Sequence, residues 1–100
     1  MSLVQDRRIL YFFEAVRLGS VRAAADYLNV APSAVSRQIG QLEQELGAAL
    51  LERHRRGVKP TEAGDRVLGY YRQRLTHQEL LLDSLQALRG LQSGSVVLAV

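Results

Sequence analysis

Two groups of side chains in this sequence have the types and spacing needed to hold a polyanion. The first is Arg53, Arg55, Arg56 and Lys59, which follow Glu52 with no further acid before Glu62. A local excess of cation of this kind meets phosphate. A solvated charged hairpin would have the same composition, so the cluster alone does not decide. The second group lies in SAVSRQIGQLEQELG, Ser33 to Gly47. On a helical wheel Val35, Ile39, Leu42 and Leu46 fall in one narrow sector, the expected core face, and Ser33, Ser36, Arg37, Gly40 and Gln44 gather within about 60° of the opposite direction. Gln38 sits at the flank. The polar side offers short hydroxyls, one guanidinium, an amide and a residue without a side chain, while Glu43 and Glu45 stand off its centre. Hydroxyls can bond a phosphate or a base edge, and an arginine fork can bond O6 and N7 of guanine together. As single residues, Ser33, Ser36 and Gly40 fit plain solvent exposure equally well, and Arg37 fits a phosphate contact nearly as well as a base contact.

The elements that must position these groups follow from the flanking periodicity. Ile9, Phe12, Phe13 and Val16 recur at helical spacing, opened by Ser2 or Asp6 as a cap and closed by Gly19. Ser20 caps a second helix that carries Val21, Ala24, Ala25 and Leu28, so rich in alanine that another helix can pack close. Asn29 and Val30 leave a short turn. Pro32 suits the first position of a third helix and Gly47 its end, which predicts a helix over Pro32 to Leu46. Phe12, Phe13 and Tyr27 are expected in the core. A short helix, a tight turn and a longer helix with an acid-free outer face make the helix-turn-helix arrangement. Its second helix, about 15 residues or 22 Å long, fits the DNA major groove. Many three-helix bundles share that polar face and bind no DNA.

After Gly47, the stretch from Leu50 to Pro60 reads as a small hairpin, or wing, turning through HRRG with Gly57 at its tip. Beside the third helix its four cations would grip the sugar-phosphate backbone. Thr61 then caps a long helix reaching about Leu91, with Leu68, Tyr71, Leu75, Leu82 and Leu85 at alternating steps of three and four. Leu81, Leu88 and Leu91 widen this stripe, Gln78 and Arg89 interrupt it, and Tyr70 and Tyr71 are expected to pack at this helix or its dimer contact. At about 45 Å it is too long for a three-helix unit to cover, so a second copy of itself is the simplest partner. Packing back on its own domain is the competing reading. The segment GSVVLAV after Ser93 has the pattern of a buried strand and is expected to open a further domain. The expected organisation is therefore a mainly α winged helix-turn-helix over residues 1–61, a linker and dimerisation helix over 62–92, and a start of another domain over 93–100. The helix-turn-helix itself lies at about 21–40 and the wing at about 50–60.

Composition narrows the classes of function. The 100 residues are 47% hydrophobic and carry a formal charge of +3, enough for one small domain plus an extension. All of the positive excess lies in residues 1–60, with nine Lys/Arg against six Asp/Glu, and residues 61–100 balance at four each. With no Cys and two isolated His, a disulfide-stapled module or a structural metal is not expected. MSLVQDRRIL lacks an apolar run of signal-peptide length, and no stretch is apolar enough to span a membrane, which points to the cytoplasm. No Ser-His-Asp set, paired carboxylates or glycine-rich phosphate loop is apparent, so an enzyme is not expected; His54 and His77 read as surface or interface residues.

From Ile9 to Leu68 the chain resembles the amino-terminal domain of LysR-type transcriptional regulators. The likeness is carried by AAADYL before the turn, by SAVSRQIGQLEQELG, by Leu51 to Arg53, and by Thr61, Ala63 and Gly64 opening the long helix. The resemblance implies a winged helix-turn-helix that binds DNA, a linker helix that pairs two subunits, and a carboxy-terminal domain that senses a small molecule; no cofactor is expected in the present chain. It also implies that Ser33, Ser36, Arg37 and Gln38 touch bases or nearby phosphates, with Arg53 and the basic wing on the backbone or adjacent minor groove. The chain departs from the family at Ala31 and Pro32, where Ser and Gln are usual, and at Lys59 and Pro60, where an aliphatic residue commonly precedes the threonine. These departures bear on which bases are read.

Residues and resemblance together lead to a bacterial, nucleoid-associated regulator that reads an inverted repeat as a homodimer. A winged-helix module for protein partners is the alternative. It requires a larger apolar patch on helix three or the wing and binding insensitive to salt.

Overall fold

The computed structural model describes residues 7–92. The expected cap at Ser2 or Asp6 and the strand pattern after Ser93 lie outside them. Four helices and one hairpin follow in the order α1 (Arg7–Leu18), α2 (Val21–Leu28), α3 (Pro32–Leu46), β1 (Leu51–His54), β2 (Gly57–Pro60) and α4 (Glu62–Gln92). The architecture is mainly α, with a two-stranded antiparallel wing.

Local chemistry sets the boundaries. The Ser20 hydroxyl accepts the Ala23 N–H at 3.0 Å and so starts α2, and Asn29, in the left-handed conformation at φ 60°, ends it. Pro32 takes the first turn of α3, where its missing N–H costs nothing, and Gly47 closes that helix at φ 71°.

The core gathers Ile9, Phe12 and Ala15 of α1, Ala24 and Ala25 of α2, Val35, Ile39 and Leu42 of α3, Leu50, and Leu68 and Tyr71 of α4. Ala24 and Ala25 keep α2 close to its neighbours, and Phe12 fills the space between helices. Two expected core positions differ. Tyr27 is 63% exposed, because it lies about 110° around α2 from the midline of Ala24 and Ala25, and the guanidinium of Arg17 sits 4.9 Å from its ring centre instead. Leu46 ends α3 and is left exposed past the edge of the core.

A further correction concerns the long helix. Leu68 and Tyr71, expected against a partner copy, are only 2% and 7% exposed within this single chain. Leu75 is half-buried against the same core. The cause is the short link to the wing. Helix α4 begins one residue after β2, so its first turns must run across α1, where the Tyr71 ring meets Phe13 at 5.1 Å between centroids and the Arg72 guanidinium lies over the Phe13 ring at 5.8 Å. Tyr70, by contrast, is exposed. Only beyond Leu75 does the apolar stripe leave the domain.

Burial pushes the Tyr71 hydroxyl above its ordinary value of 10.0, and the nearby Glu14 carboxylate adds to the shift. As pH rises, the unfolded chain therefore loses this proton first. The contribution is fully present below the ordinary value and is lost as pH climbs through the raised one. Urea unfolding between about pH 8 and 11 should show wild-type stability falling more steeply above about pH 10 than that of Tyr71→Phe. Parallel curves for the two proteins would contradict this burial effect.

Candidate nucleic-acid interface

The outer face of α3 follows from its inner one. With Val35, Ile39 and Leu42 sealed against α1 and α2, Ser33, Arg37 and Gln44 point outward, while Ser36, Gln38 and Gly40 are half-buried along the edges of the same helix. A side chain at Gly40 would meet nothing within 4 Å, so the surface there is open. Gln41, not singled out from the sequence, is exposed one turn beyond Arg37 and extends the row Ser33, Arg37, Gln41. On the wheel it lies about 80° from Ser33, outside the sector of about 60° that holds Ser36, Arg37 and Gln44. Ala31 provides no side-chain acceptor for the first turn of α3.

Both acids of α3 are engaged inside the chain. Glu43 Oε2 accepts the backbone N–H of Leu50 at 2.7 Å and of Leu51 at 3.3 Å, and Glu45 Oε1 pairs with Arg8 Nη2 at 2.7 Å. Their negative charge is drawn away from the outer face. Arg37 makes no ion pair among the described residues, so its guanidinium remains available to an outside acceptor.

The wing is registered by Leu51 opposite Pro60, Glu52 opposite Lys59, Arg53 opposite Val58 and His54 opposite Gly57. Alternation puts Arg53 on the face that carries Leu51 and Val58, both packed against the core, and puts Lys59 with Glu52 and His54 on the other. The four cations are all exposed but do not form one patch. Lys59 faces Glu52 across the strands, and Glu52 Oε1 also lies 3.6 Å from His54 Nε2. Arg55 and Arg56 form the tip in place of the expected Gly57, which opens β2. Arg53, Arg55 and Arg56 have no ion pair among the described residues.

Two anchors hold this hairpin next to α3. Glu43 grips the start of β1, and the Val58 N–H donates to the Gly19 carbonyl at 3.0 Å, tying β2 to the turn between α1 and α2. The second anchor needs glycine at position 57. Its φ is 138°, and a Cβ there would overlap the Gly19 oxygen.

No group of three or more His, Cys, Asp or Glu that could hold a metal occurs among the described residues, nor is any described helix long and apolar enough to cross a membrane.

The pattern described as "Bacterial regulatory helix-turn-helix protein, lysR family" matches residues 7–65, from the start of α1 into the first turn of α4. The chain belongs to the lysR family. Among its relatives, it is 40% identical over 84 residues to the probable HTH-type transcriptional regulator LrrA of Synechococcus elongatus, covering 84% of this chain and 29% of that protein. It is 43% identical over 97 residues to the RuBisCO operon transcriptional regulator of Allochromatium vinosum, covering 93% and 31%. Of solved structures, the CbnR DBD–DNA complex is similar with a TM-score of 0.72 and 34% identity over 85% of this chain and 98% of that one. The BenM DBD with benA site 1 DNA is similar with a TM-score of 0.73 and 36% identity over 84% and 98%. This lysR-family chain thus spans less than a third of the length of these two curated relatives and nearly all of the two structural ones.

The anchoring of the wing is open to a direct check. Gly57→Ala should lower folding stability by about 1–3 kcal/mol and abolish hydrogen-exchange protection at the Val58 amide. Gly69→Ala, where a Cβ meets open space, should do neither. Retained protection at Val58 in the first variant would show that the contact with Gly19 does not hold the wing.

Proposed function

We propose that this lysR-family chain is the DNA-reading unit of a bacterial transcriptional regulator. The observation that carries the reading is the outer face of α3, exposed, free of acids at its centre and carrying an unpaired Arg37 between Ser33 and Gln41. A helix about 22 Å long enters the major groove with this side toward the bases. Arg37 bonds a guanine; Ser33 and Ser36 bond bases or phosphates; Gln38 acts from the flank; and Gly40 lets the duplex come close. Arg53, Arg55, Arg56 and Lys59 hold the sugar-phosphate backbone and set the register. The similarity to DBD structures that hold DNA, and to relatives named as transcriptional regulators, supports this assignment.

Two copies join through α4. Leu82 and Leu85 are 51% and 50% exposed, and Leu81, Leu88 and Leu91 continue the apolar surface beyond the domain. A twofold axis through that contact presents two α3 helices to an inverted repeat. The reading places the protein in the cytoplasm at the nucleoid, involves no enzymatic step, and assigns small-molecule sensing to a carboxy-terminal domain of the family rather than to residues 7–92. A module for protein partners is disfavoured, because the large exposed hydrophobics lie at Leu18, Tyr27, Leu46, Tyr70 and along α4, and none lies in the centre of the α3 outer face or on the wing.

Selection of duplexes from a random pool, followed by titration of variants, tests the roles. Arg37→Ala should lose about 1–3 kcal/mol at particular base pairs and relax selection there. Arg55→Ala should weaken all sequences alike and reduce the slope of log affinity against log salt by about one. Equal, sequence-blind losses in both would remove Arg37 from base reading.

A further inference from the structure

We infer that Gly64, together with Thr61, sets the angle at which α4 leaves the reading head and thereby the half-site spacing that a dimer of this chain accepts. The inference rests on the dimeric DNA-binding reading above and concerns a property that reading leaves open.

The start of α4 is fastened to the segment before the wing. The Thr61 N–H donates to the Leu50 carbonyl at 3.0 Å, its hydroxyl donates to the Ala49 carbonyl at 2.6 Å, and the same oxygen accepts the Gly64 N–H at 2.9 Å. At Gly64 the helix backbone lies directly on that segment. A Cβ at this position would overlap the Leu50 carbonyl oxygen and approach Phe12 Cζ to 3.2 Å. Neither neighbour can give way at low cost. The Leu50 carbonyl is backbone already bonded to Thr61, and Phe12 is fully buried in the core. Only glycine therefore lets the helix axis lie this close to the wing root. One and two turns later Leu68 and Tyr71 are seated in the core, and past Leu75 the helix runs free.

This geometry makes α4 a lever. A methyl group at position 64 would lift the helix there by about 1 Å. Pivoting at Tyr71, about 10 Å along the axis, that lift swings Leu85, a further 21 Å or so away, by about 2 Å. With the apolar stripes of two copies held together, twofold symmetry turns the swing into about 4 Å between the reading heads, close to the rise of one base pair, about 3.4 Å. The inner face of α3 is untouched, so recognition of each half-site is preserved while the match between half-sites is not.

The test uses the half-site chosen by the wild-type chain from a random pool, placed twice as an inverted repeat at the selected spacing and at one and two base pairs more or less. Wild type should prefer its own spacing over its neighbours by about tenfold or more. In Gly64→Ala the preferred spacing should move, or the preference should fall to less than about threefold, while affinity for a single half-site stays within about twofold of wild type. Thr61→Val adds no bulk and removes both hydroxyl bonds; it should broaden the accepted spacings, and it decides the matter if Gly64→Ala does not fold. Gly69→Ala, where a Cβ meets open space, should keep the wild-type profile. An unchanged spacing profile in folded, dimeric Gly64→Ala, or in Thr61→Val should the first variant not fold, overturns the inference. Failure of the wild type to bind the half-site, or to dimerise, would instead overturn the functional reading on which it stands.

Discussion

The burial of Val35, Ile39 and Leu42 against α1 and α2 is the constraint from which the rest of the molecule follows. Each such side chain contributes roughly 1.5–3 kcal/mol when taken out of water, and the three lie on one side of a single helix. That commits the opposite side outward. Rotation of α3 by even a third of a turn would drown the leucine and isoleucine side chains in solvent and bury Arg37 without a partner, a cost of several kcal/mol in a domain whose total stability is of that order. The exposure of Ser33, Arg37 and Gln41 is thus a consequence of apolar packing and needs no separate device. The flanking acids are then withdrawn by their own bonds, Glu43 to the wing root and Glu45 to Arg8.

Leu50 links this helix to everything that follows. Its side chain is sealed in the core, its N–H is held by Glu43 from α3, and its carbonyl accepts the Thr61 N–H at the start of α4. One residue therefore joins the recognition helix, the wing and the long helix. The wing gains a second support from Gly19, so its cations keep a set position relative to Arg37. In the proposed reading, a phosphate-binding group and a base-reading group held in one backbone frame act on the same stretch of duplex with less conformational freedom to lose on binding.

Much of this frame was legible in the residues. Pro32 and Gly47 mark α3 because each has a backbone property that suits a helix end, and Ser20 marks α2 through its hydroxyl. The faces of α3 follow from simple periodicity. Other features depend on contacts distant in sequence. Leu68 and Tyr71 have the same spacing as Leu82 and Leu85, and periodicity cannot tell a stripe that meets its own core from one that meets a partner; the short link at Thr61 is what divides them. Tyr27 belongs to a helix whose inner face is already filled by two alanines, so its ring turns outward to Arg17. The split of wing cations between two faces required the strand register, and the role of Glu43 required knowing that Leu50 and Leu51 pass beneath it. Gly57 and Gly64 look alike as glycines in a sequence, yet one clears a carbonyl at the α1–α2 turn and the other a carbonyl at the wing root.

The central claim is that the acid-free face of α3 and cations of the wing contact the base edges and phosphates of duplex DNA. Fluorescence anisotropy of a labelled duplex titrated with the chain at several salt concentrations addresses it most directly. Contact with several phosphates predicts binding that weakens steeply with salt, log affinity falling by about 0.9 per phosphate neutralised for each tenfold rise in concentration. Absence of binding in dilute buffer, or an affinity that does not change with salt, would contradict the account.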